Sequence, residues 1–422
     1  MLNKSSLKNK YRRIRESKDG MVLVQNFAYL TILQVIGYIF PLITIPYLAS
    51  VIGVEGYGKI AFASSVVVYF QTIVKWGFSY TAVRDIAKNK DNIELVSSIF
   101  STVFFAKLFL SIVSTIIFAI LIYTIPFFKS YEIVLWFTYF IVIGDLFFPD
   151  WFFQAMEEMK YITIMNFCSK LLFTILVFVV ITEKNDYVYE PLLVTCGMVV
   201  SGLFSFIYGI KRYHVRFKIP PFKDIKNTIN GSFNVFLSTF IPNMYSNFTV
   251  IMLGIFGGET ATGLFSSGKK FSDLCDQFSN ILSRTFFPFL ARKINKHSLY
   301  VKISGSLSIL MGLFLFLFSD LLIDLFYTEE FEEAALVLKI MSISPFFMFL
   351  INTYGTNYLI LKGKDNMVKN IVMFSSFVGL IISCYCVINY SYIGAAITIL
   401  IARMLMGVLD WMFARKIKKQ NL

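Results

Sequence analysis

Long apolar stretches recur along the whole of this 422-residue chain, and they limit its possible folds more than any other feature. About twelve of them are long enough to cross a bilayer as helices, since one crossing takes about 20 residues. With 57% hydrophobic residues and only 15% charged ones, the composition excludes an ordinary soluble domain. The sequence therefore predicts an all-α polytopic membrane protein. Its apolar stretches lie at residues 22–51, 58–83, 95–125, 132–152, 161–182, 188–210, 231–257, 260–291, 300–326, 333–361, 367–388 and 391–414.

The chain has a net charge of +13, and most of its 39 lysines and arginines lie in alternate loops between the apolar stretches. Cytoplasmic loops of membrane proteins are enriched in these residues, so the pattern predicts cytoplasmic termini and places only Lys59, Lys129 and Lys184 outside. The same pattern explains the positive charge without nucleic acid, and no nucleic-acid partner is expected. The five cysteines lie in apolar stretches and the two histidines in basic loops, so no metal cofactor is expected either.

The largest basic loop lies at the midpoint of the chain and contains Pro220 and Pro221. It predicts a cytoplasmic linker between two six-helix lobes. The predicted boundaries are a basic cytoplasmic tail at residues 1–20, an N-terminal lobe at 21–210, the linker at 211–230, a C-terminal lobe at 231–415 and a cytoplasmic tail at 416–422.

A glycine-rich turn recurs in the two halves. The sequence GVE at residues 53–55 reappears as GGE at residues 257–259, and Gly58 has a near counterpart in Gly263. Six crossings return the chain to the same side of the membrane, so the two repeats are predicted to be parallel and related by an axis along the membrane normal.

The first hairpin, residues 41–87, carries polar side chains on an otherwise apolar second arm. On a helix, Gln71 and Ser79 share one face with Lys75. A lysine inside a spanning helix costs about 2.5–3.5 kcal/mol on insertion scales, so Lys75 either faces a central cavity or extends to the cytoplasmic interface. Asp145, at the aromatic-rich end of the fourth stretch, is interpreted as part of an interfacial belt.

The equivalent helix of the second half carries charges of both signs on one face. Its polar residues are Lys269, Asp273, Asp276, Gln277, Asn280 and Arg284. Lys269 and Asp273 lie four residues apart, a spacing that predicts contact between them. The preceding helix adds Asn243 and Asn247 beside Pro242. These side chains either line a cavity or neutralise one another between packed helices.

Two such hairpins, one from each half, predict a water-filled cavity between two lobes that open alternately to either side. Embedded cations outnumber the acidic candidates, so we expect the cavity to favour an anion. Phosphate and pyrophosphate are common ligands of lysine and arginine clusters. The sequence GLFSSGKK at residues 263–270 approaches a phosphate-binding loop, but lysine replaces its magnesium-binding hydroxyl, so ATP binding is not expected.

The run FPLITIPYLASVIGVEGYGKIAFASSVVVYFQTIVKWGFSYTAVRDIAKNKDN resembles the amino-terminal signature of the Wzx flippases, which export O-antigen and capsule repeat units within the MOP (multidrug/oligosaccharidyl-lipid/polysaccharide) superfamily. PDWFFQAMEEMKYIT is similar to the family's stretch after the fourth helix, and GLFSSGKKFSDL to its eighth helix. The resemblance implies a V-shaped pair of six-helix bundles, with helices one, two, seven and eight lining the cavity. It also implies a bacterial cytoplasmic (inner) membrane location.

The resemblance further implies that the substrate is an oligosaccharide on undecaprenyl pyrophosphate, and that a polysaccharide polymerase and a chain-length regulator are partners. On this hypothesis, the candidate pyrophosphate ligands are Lys75, Arg84, Lys170, Lys269, Lys270 and Arg284. The predicted polar cavity lining comprises Gln71, Ser79, Asn243, Asn247 and Asn280. Asp273 and Asp276 would exchange a proton or sodium ion, since carboxylates among cations in a low dielectric suit ion coupling. No other cofactor is expected.

Three other functions stay open at this point. A multidrug antiporter of the same superfamily would export organic cations, and the surplus of embedded cations argues against it. An integral-membrane polysaccharide polymerase or acyltransferase would need acid-base residues on its reacting side, where the loops are short and contain no histidine. A flippase for the peptidoglycan lipid precursor would differ only in its cargo.

Overall fold

The computed structural model describes residues 18–292 and 294–420, apart from a number of side chains, most of them before residue 39. The described chain consists of helices and short turns, without a β-strand. The α-helices of the first half are α1 Lys18–Lys75, α2 Phe78–Ala87, α3 Ile93–Thr124, α4 Pro126–Lys129, α5 Glu132–Tyr139, α6 Ile141–Phe147, α7 Asp150–Ala155, α8 Met159–Val180 and α9 Tyr189–Arg212.

The second half continues in the same way. Its α-helices are α10 Phe222–Phe256, α11 Gly258–Arg292, α12 His297–Leu317, α13 Ser319–Phe326, α14 Ala334–Met341, α15 Ser344–Leu350 and α16 Asp365–Gln420. A π-helix, Ile351–Leu359, extends α15. Short 3-10 helices lie at Lys184–Val188, Ile294–Lys296, Glu329–Phe331 and Ile360–Lys362.

The two longest helices each contain a sharp break. In α1, Gly53 has φ 65° and ψ −177°, and in α16, Ser391 has φ 49° and ψ −130°. We call the segment before each break the first arm and the segment after it the second arm. The arms of α16 pack tightly on each other, because a Cβ atom on Gly394 would overlap the carbonyl oxygen of Cys386.

Eight helical segments of the described chain are long and apolar enough to cross a membrane. Two of these segments contain the breaks in α1 and α16, and each therefore provides two crossings. Helices α10 and α11 are more polar, but each has 35 residues. At about 1.5 Å per residue, each is about 50 Å long and exceeds the hydrocarbon core of a bilayer, which is about 30 Å thick. Together, these helices agree with the prediction of about twelve crossings.

The helices form two lobes, α1 to α9 and α10 to α16, and each lobe has its own apolar core. In the first lobe, Phe70 of α1 packs against Phe118 of α3, which stacks on Tyr139 of α5. In the second lobe, Phe265 of α11 and Ile399 of α16 belong to one buried cluster. Part of α1 is therefore buried in the core of the first lobe and part of α11 in the core of the second, although both helices also face the other lobe.

The lobes meet where the second arm of α1 crosses α11. A Cβ atom on Gly58 would overlap the carbonyl oxygen of Glu259, and one on Gly263 would overlap the carbonyl oxygen of Val54. The contact is reciprocal, since each helix supplies both a glycine and a backbone carbonyl. Only glycine permits this approach, because it has no side chain to separate the two backbones.

The turns that precede this crossing also match in conformation. Gly53 has φ 65° and Gly258 has φ 80°, a left-handed conformation that favours glycine. The structure therefore pairs Gly53 with Gly258, one residue beyond the pairing read from the sequence. The glycine repeat marks the same turn in both lobes.

The connection between the lobes is held against α3. Helix α10 begins at Phe222, inside the segment 211–230 predicted as a linker. Ahead of it, the backbone N–H of Arg216 donates a hydrogen bond to Ser97 Oγ at 2.9 Å. The start of the second lobe is thus tied to the first lobe.

Candidate functional site

A cavity of about 360 Å³ lies between the lobes. Both arms of α1 line it, together with α5, α6, α8, α9 and α11. Most of its wall is apolar. Its polar lining residues are Thr44, Tyr57, Ser64, Thr138, Glu190, Ser266 and Lys270.

Two lysines and one glutamate form a charged group at and beside this cavity. Lys270 and Glu190 line it, from α11 and α9. The Nζ atom of Lys170, on α8, would lie 3.6 Å from a Cβ atom placed on Gly37 of α1. Lys270 is close enough to interact electrostatically with both Lys170 and Glu190. Neither lysine forms a salt bridge with a described side chain, so the group carries a surplus positive charge.

In the first lobe, Asp145 of α6 interacts with three side chains. The Nζ atom of Lys75 lies 3.2 Å from Asp145 Oδ1, and Gln71 Nε2 donates to Asp145 Oδ2 at 2.9 Å. Lys107 Nζ donates to the backbone oxygen of Asp145. We call these four residues the Asp145 network. Asp145 and Lys107 are buried, whereas the side chain of Lys75 is 50% exposed.

This arrangement corrects the interpretation of Asp145 as part of an interfacial belt. The carboxylate points into the lobe, because α6 presents it to α1 and α3, where two lysines need a counter-charge. The predicted common face of Gln71 and Lys75 is confirmed, since both side chains contact the same carboxylate. Lys75 is therefore an ion-paired residue, with its outer half open to solvent.

Ser79 follows a break that the sequence did not predict. Trp76 has φ 42° and Gly77 has φ 75°, so α1 ends at Lys75 and α2 begins at Phe78. The helical wheel that placed Ser79 beside Lys75 does not extend across this break. Nevertheless, both residues line one pocket of about 310 Å³, to which Thr239 of α10 also contributes.

In the second lobe, Arg403 of α16 joins two acidic residues of α11. Its guanidinium lies 2.6 Å from Asp276 Oδ2 and 3.4 Å from Asp273 Oδ1, and it also contacts Ser344 Oγ. Lys269 contacts Asp273, as its spacing predicted. We call these five residues the Arg403 network. Its two cations balance its two carboxylates.

The predicted asparagines occupy different surroundings. Asn280 Oδ1 accepts a hydrogen bond from Asn352 Nδ2 at 2.9 Å, so this pair links α11 to the π-helix. Asn247 is half-buried on α10 and has interactions of its own. The side chain of Asn243 lies outside the described residues, as does that of Pro242.

The two predicted arginines are exposed. Arg84 Nε lies 2.8 Å from Asp85 Oδ1 on the surface of α2. Arg284 is exposed on α11 and forms no salt bridge with a described side chain. Neither arginine lines the cavity between the lobes. Of the six predicted phosphate ligands, Lys270 alone lines this cavity, and Lys170 lies outside its lining but within electrostatic reach of Lys270.

Three charged residues were not among the predicted site residues. Lys107 and Arg403 could have been found, because each is a cation inside an apolar stretch. Glu190 is harder to identify from the sequence as a site residue. It lies in the first turn of α9, where acidic residues commonly stabilise a helix start, so its position beside the cavity depends on the packing of the lobes.

Hydrogen bonds join the lobes at the end of the molecule that carries Gly53. The backbone N–H of Val54 donates to Glu330 Oε2 at 3.0 Å. The hydroxyl of Tyr131 donates to Glu259 Oε1 at 2.7 Å. Both bonds cross from the first lobe to the second.

A second set of contacts joins the lobes at the opposite end, near Arg84. The indole N–H of Trp76 donates to the carbonyl oxygen of Ile229 at 2.8 Å, and its ring stacks on Phe236 with centroids 4.0 Å apart. Thr81 Oγ1 and Ser232 Oγ are 2.8 Å apart. The cavity thus lies between two groups of contacts that join the lobes.

Comparison with known proteins agrees with this architecture. The family model described as polysaccharide biosynthesis protein matches residues 23–294. A putative O-antigen transporter of Escherichia coli (strain K12) is 26% identical over 408 residues, which cover 95% of this chain and 98% of that protein.

Two solved transporter structures share the fold. The lipid II flippase MurJ in an inward closed conformation has a TM-score of 0.71 at 12% identity, covering 93% of this chain and 87% of that one. An inward-facing multidrug resistance MATE family transporter of the MOP superfamily has a TM-score of 0.65 at 15% identity, covering 89% of this chain and 94% of that one. The predicted fold class is confirmed.

Proposed function

This chain belongs to the polysaccharide biosynthesis protein family, and we propose that it is a Wzx-type flippase rather than an enzyme. Its cargo is an oligosaccharide repeat unit on undecaprenyl pyrophosphate, which it moves from the inner to the outer leaflet of the bacterial cytoplasmic membrane. The relative named a putative O-antigen transporter aligns over nearly the whole chain and supports this class of cargo. The likeness in fold to transporters supports alternating access between the lobes.

The observation that carries the proposal is Lys270 in the lining of the cavity, with Lys170 within electrostatic reach of it. Lys170 and Lys270 have no described salt-bridge partner, and Glu190 offsets only one of their two charges. An anionic diphosphate would neutralise the remaining charge. Each ammonium group can donate up to three hydrogen bonds, and those to phosphate oxygens are about twice as strong as bonds between neutral groups.

The size of the cavity separates the roles of phosphate and sugar. A volume of about 360 Å³ accommodates a diphosphate, but an oligosaccharide of several sugars needs more space. The lobes must therefore separate before the sugars pass between them. In this proposal, the contacts near Gly53 and near Arg84 open in turn.

The other predicted phosphate ligands have different positions in this proposal. Lys75 and Lys269 each contact a carboxylate already, so they bind phosphate only after exchanging that partner. Arg84 and Arg284 are exposed and can receive the headgroup before it enters the cavity.

Several finer features of the function stay predictions. They include ion coupling at Asp273 and Asp276, cytoplasmic termini, and cooperation with a polymerase and a chain-length regulator. The polar lining by Gln71, Ser79, Asn243, Asn247 and Asn280 is also a prediction. The ion pairs with Arg403 place a competing cation beside both proposed coupling carboxylates.

The direct test replaces the cavity lysines in a strain whose chromosomal copy has been deleted. Lys170→Gln and Lys270→Gln remove charge and retain most of the side-chain volume, and Lys302→Gln, at an exposed position on α12, is the matched control. Undecaprenyl-linked glycans are measured by mass spectrometry, and surface polysaccharide is measured in the same cells. We expect each cavity variant to accumulate a single completed repeat unit and lose surface polymer, while the control behaves as wild type.

Other outcomes would contradict the proposal in distinct ways. Completed units that reach the outer face but stay unpolymerised in the deletion strain would favour the polymerase function. Normal glycans in that strain would favour export of small molecules. Arg284→Ala is expected to abolish export at a normal protein level, and unchanged export would remove Arg284 from the mechanism.

A further inference from the structure

Asp410, on the second arm of α16, is a buried acidic side chain without a partner. It is 0% exposed, and neither carboxylate oxygen has a hydrogen-bond partner among the described residues. In contrast, Asp145 and Asp276 are each buried beside a cation. Transferring an unpaired carboxylate into an apolar interior is very unfavourable, so Asp410 needs a bound cation or proton to be stable there.

This carboxyl group lies against the π-helix Ile351–Leu359. A Cβ atom on Gly355 would lie 2.5 Å from Asp410 Oδ2 and 2.9 Å from Asp410 Cγ. The absence of a side chain at residue 355 therefore creates the space that the carboxyl group occupies. A π-helix is rare because its wider turn is less stable than an α-helical one. Where π-helical turns occur, they are often at functional sites.

No described charged group on the elements packed around Asp410 compensates its charge. The titratable and charged residues on these elements include Tyr245 on α10, Asp276 and Arg284 on α11, Lys339 on α14, Tyr354 and Tyr358 on the π-helix, and Arg403 and Arg415 on α16 itself. Arg403 pairs with Asp276, Lys339 pairs with Asp320, and Arg415 lies 4.8 Å from the centre of the Trp411 ring. None of them hydrogen-bonds to Asp410.

A proton suits this site better than a metal ion. The described residues contain no group of three or more acidic, histidine or cysteine side chains that could hold a metal. A single carboxyl group can bind a proton without further ligands. We therefore propose that Asp410, seated on Gly355 of the π-helix, is a proton-binding site that couples export to a proton gradient.

The position of Asp410 explains how its proton could affect the cavity. Asp410 and Arg403 are seven residues apart on one helix, so they share a face and lie about 10 Å apart along its axis. Arg403 contacts Asp273 and Asp276 of α11, and α11 supplies Lys270 to the cavity. When Asp410 loses its proton, the charged carboxylate must reach water, which requires α16 and the π-helix to move apart. That movement shifts Arg403 and, through it, α11.

Carbodiimide labelling tests proton binding without knowledge of the cargo. Dicyclohexylcarbodiimide reacts with protonated carboxyl groups in apolar surroundings, and peptide mass spectrometry locates the label in the purified full-length protein. We expect labelling at Asp410, with a rate that falls at least tenfold as the pH rises and the proton is lost. The ion-paired Asp145 is the internal control and should stay unlabelled. Absence of label at Asp410, or a rate independent of pH, would overturn the proton site.

Export measurements test whether this proton serves transport, a step that rests on the proposed function. Asp410→Asn retains shape and hydrogen-bonding capacity but cannot exchange a proton, so we expect normal folding and at least a tenfold loss of export. Gly355→Ala should displace the carboxyl group and lower the labelling rate in the otherwise unchanged protein. Normal export by Asp410→Asn, together with pH-dependent labelling of the wild type, would reject the coupling role. Because labelling needs no cargo, an error in the proposed cargo would leave that result intact.

Discussion

The two lobes match in backbone and differ in charge. Gly53 and Gly258 both have a positive φ at the turn, and Gly58 and Gly263 allow the same close approach from opposite sides. The buried charges follow no such repeat. The Asp145 network has one carboxylate side chain and two lysines, whereas the Arg403 network has two carboxylates, an arginine and a lysine.

This difference shows which features of one lobe must also be present in the other. Close contact between two helices requires small residues on both, so the crossing of α1 and α11 depends on the two lobes equally. A buried charge requires only a partner within reach, and that partner can come from any neighbouring helix. The first lobe uses α3 and α6 for this purpose, and the second lobe uses α15 and α16.

Removal of Arg403 should have the largest effect on stability. In Arg403→Ala, the buried carboxylate of Asp276 loses its cation, so we expect the free energy of unfolding to fall by about 3–5 kcal/mol. Thermal unfolding of the purified protein in detergent measures the loss. The double variant Arg403→Ala/Asp276→Ala should recover part of it. If the double variant is no more stable than Arg403→Ala, the unpaired carboxylate is not the cause.

The reciprocal glycines should respond equally to substitution. Gly58→Ala and Gly263→Ala each place a methyl group against a backbone carbonyl of the other helix, and we expect each to cost about 1–3 kcal/mol of unfolding free energy. Unfolding of both variants in the same detergent measures the two losses. A large loss from one variant and none from the other would break the symmetry of the crossing.

Asp145→Asn should destabilise the protein less than Arg403→Ala does. The amide can still hydrogen-bond to Gln71, and Lys75 can turn its half-exposed side chain to solvent. Lys107 keeps its bond to the backbone oxygen and the electrostatic interaction with Asp150. We expect a loss of about 1.5 kcal/mol. The same unfolding experiment measures both losses, and a loss equal to that of Arg403→Ala would contradict this ranking.

Gly231→Ala should give the smallest change, with the opposite sign. Gly231 is exposed on α10, and a Cβ atom there would have no neighbour within 4 Å. Because alanine favours helix more than glycine does, we expect a stabilisation of about 0.5–1 kcal/mol. This variant is also the control for Gly58→Ala. Destabilisation by Gly231→Ala would show that helix propensity does not govern this site.

Much of the fold could be predicted from local patterns in the sequence. The apolar stretches predict the helices because a helix satisfies its own backbone hydrogen bonds inside a bilayer. Spacing along one helix predicts that Lys269 contacts Asp273, and that Gln71 and Lys75 share a face. The glycine repeat predicts a common turn. All of these features depend on residues close together in the chain.

Tertiary structure alone decided which helices lie opposite one another. It placed Asp145 beside Lys75, Arg403 beside Asp276, and Lys170 and Glu190 near Lys270. Helical periodicity shows which side chains share a face, but it contains no information about the helix that this face meets. For the same reason, the sequence alone could not separate the unpartnered cavity lysines from those held in ion pairs.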